Sequence, residues 1–348
     1  MAIDRRRALA LLATLPMLPA LARTPDAPLL SAGWRDPGQW QAGSLGGPAT
    51  ALPERAHDIV ADPRRPGEAL VIARRPGHYL ARIDWRRGRL LRLSEAEAGR
   101  SLFGHGVFSP DGRHFLTTEN DEGTGLGRIT VRDATTLRPL ADWPSHGIGP
   151  HELLWLDQER LAVANGGILT LAETGRLKRN LAEMAPSLVL LDGRTGKLLA
   201  EYRLDDPKLS IRHLARAQDG TLAAALQSEA GPRPLLALLR QDRFRLADTP
   251  PELVQAMAAY GASVAANGNR FLLSCPKGGL VAEWDSEGHP GAQAQLAKPY
   301  GVTARHGDWL VSGEDGQLWR LAAGTLELLA SEHFPELHWD NHLRLSVV

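Results

Sequence analysis

Twelve histidines are scattered through the 348 residues; three of them share one spacing rule and two more follow it in part. In His105-Gly-Val-Phe-Ser-Pro-Asp111-Gly112, His151-Glu-Leu-Leu-Trp-Leu-Asp157 and His213-Leu-Ala-Arg-Ala-Gln-Asp219-Gly220, a histidine stands six residues before an aspartate. His57 fits the rule with one residue fewer before Asp62-Pro63, and Trp339-Asp340-Asn341-His342 begins the same pattern just before the chain ends. The same register finds Gly261 before Asn267-Gly268 and Tyr300 before His306-Gly307. Neutral imidazole is the commonest protein ligand for transition metals and suits copper, zinc, iron and nickel. His57, His105, His151, His213 and His342 are therefore candidate metal ligands. Such ligands need neighbours that fix the ring tautomer, and Asp58, Glu152 and Asp340 adjoin ring histidines. His146 leads into His151, Arg212 precedes His213, and Tyr260 and Tyr300 offer phenolic oxygens; with Glu152 and Asp340 these are the candidate supporting residues. No thiolate or methionine lies nearby, which disfavours blue-copper and iron–sulfur chemistry and favours copper or iron in a nitrogen-rich or mixed nitrogen and oxygen setting.

Side chains so far apart in sequence converge only if a repeat holds them at equivalent places. Period-two apolar runs of four to seven residues alternate with Asp-Gly, Asn-Gly and Gly-rich turns along the chain, whereas long helical periodicity is nearly absent. Short strands with a repeat of about forty to fifty residues predict a β-propeller, whose four-stranded blades bury their faces against their neighbours. Seven starts, at 57, 105, 151, 213, 261, 300 and 342, predict an all-β, seven-bladed propeller with the equivalent residues around the central channel. The last start lacks the rest of its blade, while Leu29 to Trp34 and Gln39 to Leu45 are strand-like runs without a start. A last blade closed by both termini accounts for both facts and removes free sheet edges. The longest gap holds a polar insertion, Thr170 to Ala185. The competing reading of the ring is structural: WD-repeat propellers carry a histidine that only hydrogen-bonds within the blade, and Trp284-Asp285 resembles a WD dipeptide. That histidine lies farther ahead of the turn than these do, so the imidazoles here are placed on the inner strands.

Several other constellations carry less. Asn165-Gly166-Gly167 has no helix behind it to make a phosphate loop and reads as a turn. Glu119-Asn120-Asp121-Glu122-Gly123 lacks the spaced acids of a calcium loop and reads as a solvated inter-strand loop. No serine sits in a nucleophile elbow. The single cysteine, in Phe271-Leu272-Leu273-Ser274-Cys275, reads as a buried strand residue.

The N-terminus reads as an export signal over residues 1–22: Asp4-Arg5-Arg6-Arg7, an apolar run from Ala8 to Leu21, and Ala20-Leu21-Ala22 as a cleavage site. Paired arginines favour the twin-arginine route. The apolar run is too short to span a bilayer and contains Pro16 and Pro19, so the mature chain, 23–348, is expected to be a single periplasmic domain without a membrane span. Forty basic residues balance forty acidic ones, which excludes the electrostatic footprint of a nucleic-acid or anionic-membrane binder. A monomer is expected.

Six segments resemble a bacterial family of unknown function: Gly104 to Ser109, Thr118 to Asp121, Ser145 to Leu153, Val163 to Ile168, Ser210 to Leu214, and Trp339 to His342. The resemblance spans nearly the whole mature chain, and Ser145 to Leu153 is its most specific motif. It implies twin-arginine export, a propeller, and company with imelysin-type and dihaem oxidoreductase-like proteins in iron-linked gene neighbourhoods. The chain departs from the family pattern after Ile168, where Thr170-Leu171-Ala172 replaces a Thr-His-Pro run, which leaves no extra ligand there. The function expected is transition-metal binding in metal or iron acquisition. Its alternatives are a metal-dependent periplasmic oxidoreductase and a non-catalytic scaffold for the imelysin-type partner.

Overall fold

The computed structural model describes residues 26–346 apart from 36–37, 172–174 and 176. The expected export signal, 1–22, and the first residues of the mature chain lie outside the described residues. The chain forms seven sheets arranged as the blades of a propeller: six of four strands and one of five. Six blades are built consecutively from one stretch of chain each, every strand pairing antiparallel with the next. In the remaining blade Leu29–Trp34 pairs with Trp40–Ser44 on one side. On its other side it pairs with His338–Trp339 and Arg344–Leu345 from the C-terminus. Both termini thus close the ring, and the C-terminal segment supplies the innermost element of that blade.

Burial follows position within a blade. Middle strands such as Glu68–Ala73 and Tyr79–Asp84 are enclosed by neighbouring blades on both faces and are almost wholly buried, whereas the outermost strand Arg89–Glu95 is almost wholly exposed. The small and branched apolar residues of the middle strands therefore form the core, each larger side chain contributing on the order of 1.5–3 kcal/mol by leaving water. Polar ties run between strands and blades. Arg132, fully buried, reaches Glu119 at 2.7 Å and Glu97 at 2.6 Å, and Glu283 accepts from Trp309 Nε1 at 2.8 Å and from the Gly324 amide at 3.0 Å. Glu119 and Asn120, read from sequence as a solvated loop, are buried residues of the strand His114–Asp121. The correction has a physical reason: the charge of Arg132 on the next strand holds the Glu119 carboxylate inside.

The aspartates that marked the repeat close the inner turns. Asp111, Asp157 and Asp219 each accept a backbone N–H two residues ahead, at 3.0, 2.9 and 2.9 Å, which is why the register survives in the sequence. Trp284 is a fully buried core residue whose Nε1 donates to the Asp248 carbonyl at 2.9 Å. Cys275 is fully buried in the strand Arg270–Cys275. The only α-helix among the described residues is Pro251–Ala256, and none is long and apolar enough to cross a membrane.

Candidate metal centre

Five of the inner strands break their ladder register at the ring position. The shifts fall between Ala56 and Asp58, Leu102 and Gly106, Pro150 and Leu153, Ile211 and His213, and Pro299 and Val302. A bulge leaves a residue unpaired and turns the strand sharply, which re-aims a side chain. Four of these bulges carry or adjoin His57, His105, His151 and His213. Ser263–Asn267, whose blade has Gly261 at the ring position, pairs with its neighbour without a shift. His342 comes from the short segment between His338–Trp339 and Arg344–Leu345.

All five imidazoles meet. His105 contacts each of the others, with ring centroids 4.8 Å from His57, 4.5 Å from His151, 5.2 Å from His213 and 4.8 Å from His342. The other four close a cycle around it: His57 to His151 at 6.0 Å, His151 to His213 at 4.7 Å, His213 to His342 at 4.8 Å and His342 to His57 at 4.9 Å. The five lie on five successive blades, counting through the closing one. Two triads, His57–His105–His151 and His105–His213–His342, each have ring nitrogens within 4.8 Å of one another. Ion–nitrogen bonds of about 2 Å span up to about 4 Å between nitrogens, so a small closing of the rings completes either set. Gly104 makes the crowding tolerable: its φ is +100°, and a Cβ there would lie 2.6 Å from Cδ2 of His57.

Carboxylates stand behind three of the rings, each on the Nδ1 side. Asp340 Oδ1 lies 2.9 Å from His57 Nδ1, and Glu152 Oε2 lies 3.3 Å from His213 Nδ1. Asp58 Oδ2 is 3.4 Å from His105 Nδ1, within ion-pair distance but without hydrogen-bond alignment. A carboxylate on Nδ1 directs Nε2 toward the shared centre and raises its basicity. Arginines hold the carboxylates in turn. Arg344 donates through Nε and Nη2 to Asp58 at 3.0 and 2.8 Å and through Nη2 to Glu152 at 2.8 Å. Arg55 donates to Asp340 at 2.6 Å, with Arg74 at 3.7 Å.

Four of the rings, those of His57, His151, His213 and His342, are kept neutral. Burial pushes the His57 imidazole down to about 3, its bond to Asp340 opposing the shift without reversing it. Burial likewise holds His151 and His342 well below the ordinary range, and His213 below it. For Asp58 and Glu152 burial favours the protonated form and is the largest single influence, but the Arg344 guanidinium and the neighbouring imidazoles together outweigh it and hold both carboxyls below the ordinary range. At Asp340 the His57 bond and the Arg74 charge outweigh burial in the same way. Both nitrogens of His105, Nδ1 of His151 and Nε2 of His342 are buried without a hydrogen-bond partner. Leaving a buried polar atom unpaired costs about 1–3 kcal/mol, and a cation at the centre satisfies several at once. Converging imidazoles, three of them backed by carboxylates and several with unpaired nitrogens, form a donor set suited to a late first-row metal ion.

The remaining candidates lie around this cluster. Arg212 is buried in the bulge beside His213, its charge felt at His151, and its guanidinium packs above Gly166. Tyr300 is half-buried on the side of Arg55 and Arg74, near Tyr260, whose ring faces Lys277 Nζ at 4.7 Å. His146 sits in a left-handed backbone turn, φ 54°, with Nε2 buried and unpaired. No contact joins Tyr260, Tyr300 or His146 to the five imidazoles; Asp340 and Glu152 do touch them. Sequence reasoning missed Arg344, Arg55 and Arg74. For Arg344 a signal existed: residues 340, 342 and 344 alternate along an extended segment, which places them on one face.

Fold and site together define a seven-bladed β-propeller with a buried histidine cluster on its axis. The family described as "Protein of unknown function (DUF1513)" matches residues 50–346, and the chain belongs to it. A comparison with curated proteins finds no match. Among solved structures the chain is similar to BamB from Moraxella catarrhalis, at 14% identity and a TM-score of 0.53, over 87% of this chain and 82% of that one. At that identity the likeness shows the fold alone.

Proposed function

We propose that this protein is an exported, periplasmic metal-binding propeller that holds copper or iron at its histidine centre and serves metal acquisition. The observation that carries the reading is the convergence of the buried His57, His105, His151, His213 and His342, with Asp340, Asp58 and Glu152 behind three of them. A structural histidine cluster would spend its ring nitrogens on hydrogen bonds, and four ring nitrogens here have none. The paired arginines Arg5 and Arg6 support the twin-arginine route, and the family resemblance supports imelysin-type and dihaem oxidoreductase-like partners.

The test is elemental analysis of the mature protein, purified from the periplasm without chelators or an affinity tag, beside a His105→Ala, His213→Ala variant. Near-stoichiometric copper or iron in the parent and none in the variant is the expected result. A metal-free parent that also fails to take up added copper, iron or zinc overturns the proposal.

A further inference from the structure

At the end of the propeller that carries the aspartate turns, hydrogen bonds tie one blade to the next. Arg65 Nη2 donates to Thr135 Oγ1 at 2.9 Å, the Tyr202 hydroxyl to Asp242 at 2.9 Å, and Asn267 Nδ2 to the Gly307 carbonyl at 2.8 Å. Between the blade of residues 100–144 and that of residues 150–202, no hydrogen bond or ion pair among the described residues crosses at this end. Their ties, such as Asn120 Nδ2 to the Thr170 carbonyl at 3.4 Å, lie at the opposite end. A cavity of about 500 Å³ occupies the seam instead.

Cross-strand pairing assembles one wall. Leu116 pairs with Val131 and Val131 with Ala141, while His114 and Trp143 lie two residues along their strands from this row, so all five share the face turned to the next blade. Trp155, Gln158, Gly193 and Arg194 form the opposite wall, and Leu140 with the turn Ser109-Pro110-Asp111 completes the lining. Both indoles are only partly buried. The turn 192–196 seats them: a Cβ on Gly193 would lie 2.2 Å from Trp155 Cζ3, and one on Gly196 would lie 2.3 Å from Trp143 Cγ. The acid and the arginine of the lining are opposite in sign and already engaged, Asp111 accepting from Ser109 Oγ at 2.6 Å and Arg194 Nη2 donating to Glu159 at 3.4 Å. Nothing in the lining therefore demands a charged ligand. A wholly apolar ligand would strip water from His114 and Gln158 and leave them unpaired. Flat aromatic surface beside hydroxyl, imidazole, amide, carboxylate and guanidinium groups, donors and acceptors together, complements a ring with C–H faces and hydroxyls around its edge. We propose that this seam is a binding cleft for a neutral sugar, its pyranose ring against the indoles of Trp143 and Trp155 and its hydroxyls on the polar turns. The volume falls within the roughly 300–1,000 Å³ of small-molecule sites. The inference does not rest on the metal reading.

Saturation-transfer NMR on the mature protein tests it with methyl glucoside, methyl galactoside, methyl mannoside, cellobiose and maltose. At least one should bind with a Kd of about 1 mM or tighter, its ring C–H protons taking up the most saturation. Trp143→Ala should weaken that sugar at least tenfold. Ala141→Phe, which puts a ring into the seam from an exposed strand position, should do the same, and it carries the test if Trp143→Ala does not fold. The His105→Ala, His213→Ala variant should bind the sugar as the parent does. L-Phenylalanine, which offers an aromatic ring and charges in place of hydroxyls, should not compete. Binding by none of the five sugars, binding unaltered by Ala141→Phe, loss of binding in the double-histidine variant, or displacement of the sugar by phenylalanine each overturns the inference and leaves the metal reading standing.

Discussion

Lowering the pH from about 7.5 to 5.5 should destabilise the metal-free protein steeply, and the buried imidazoles set the size of the effect. A histidine held neutral in the folded state contributes stability that is fully present above its unfolded value of about 6.5 and is lost as pH falls toward the folded value. The sign follows because the unfolded chain then binds more protons. At pH 5.5, one unit below the unfolded value, each such group costs about 1.4 kcal/mol. His57, which remains neutral down to about 3, loses that amount in this window. His151 and His342, held low by the same burial, behave alike, and His213 adds in the same direction. The first three together remove about 4 kcal/mol, a large part of the roughly 5–15 kcal/mol that keeps a protein folded. Asp58, Glu152 and Asp340 do not interfere, since stabilisation by an ionised carboxylate fades only near and below its ordinary value of about 4. Urea denaturation of the apoprotein at pH 7.5, 6.5 and 5.5 measures the loss. The variant His151→Gln, His342→Gln should lose about 3 kcal/mol less across the window. An unchanged urea midpoint across the window, or a variant with the parent's pH slope, would refute the reasoning.

The other expectations are quicker to test. Asp340→Asn removes the carboxylate behind His57 and should weaken metal binding about 10–100-fold in a chelator competition. Gly104→Ala drives a methyl into the His57 ring and strains a left-handed residue, so it should cost about 1–3 kcal/mol in urea denaturation and reduce metal uptake. Arg132→Leu leaves Glu119 charged and buried and should cost about 3–5 kcal/mol in unfolding free energy while leaving metal stoichiometry intact. The Cys275 thiol, pushed up by burial, should be unreactive toward a thiol reagent until the protein unfolds, which makes it a reporter of global opening.

Much of the architecture was legible because a propeller is one unit written repeatedly. Turn aspartates such as Asp111, Asp157 and Asp219 must accept the same backbone N–H in blade after blade, so they kept a fixed distance from the histidines. An unpaired C-terminal start and two unclaimed N-terminal runs foretold the shared closing blade. The five histidine positions were visible for the same reason. Gly261 and Tyr300 were also in register, and register alone could not say which residues reach the axis.

That decision belongs to tertiary structure. Bulges at the ring positions turn the strands, and a bulge depends on which strand is the partner, which local sequence does not specify. The neutrality of His57, His151, His213 and His342 likewise comes from burial on the shared axis, not from neighbours in the chain. The arginines that hold the carboxylates lie hundreds of residues away in sequence: Arg344 from Asp58 and Glu152, and Arg55 and Arg74 from Asp340. Residue types and repeat spacing determined that there would be a ring of candidate ligands; the closing of the ring determined that they converge, are buried and, at His57, His105 and His213, acquire carboxylate supports, because those properties arise only when distant strands share one axis.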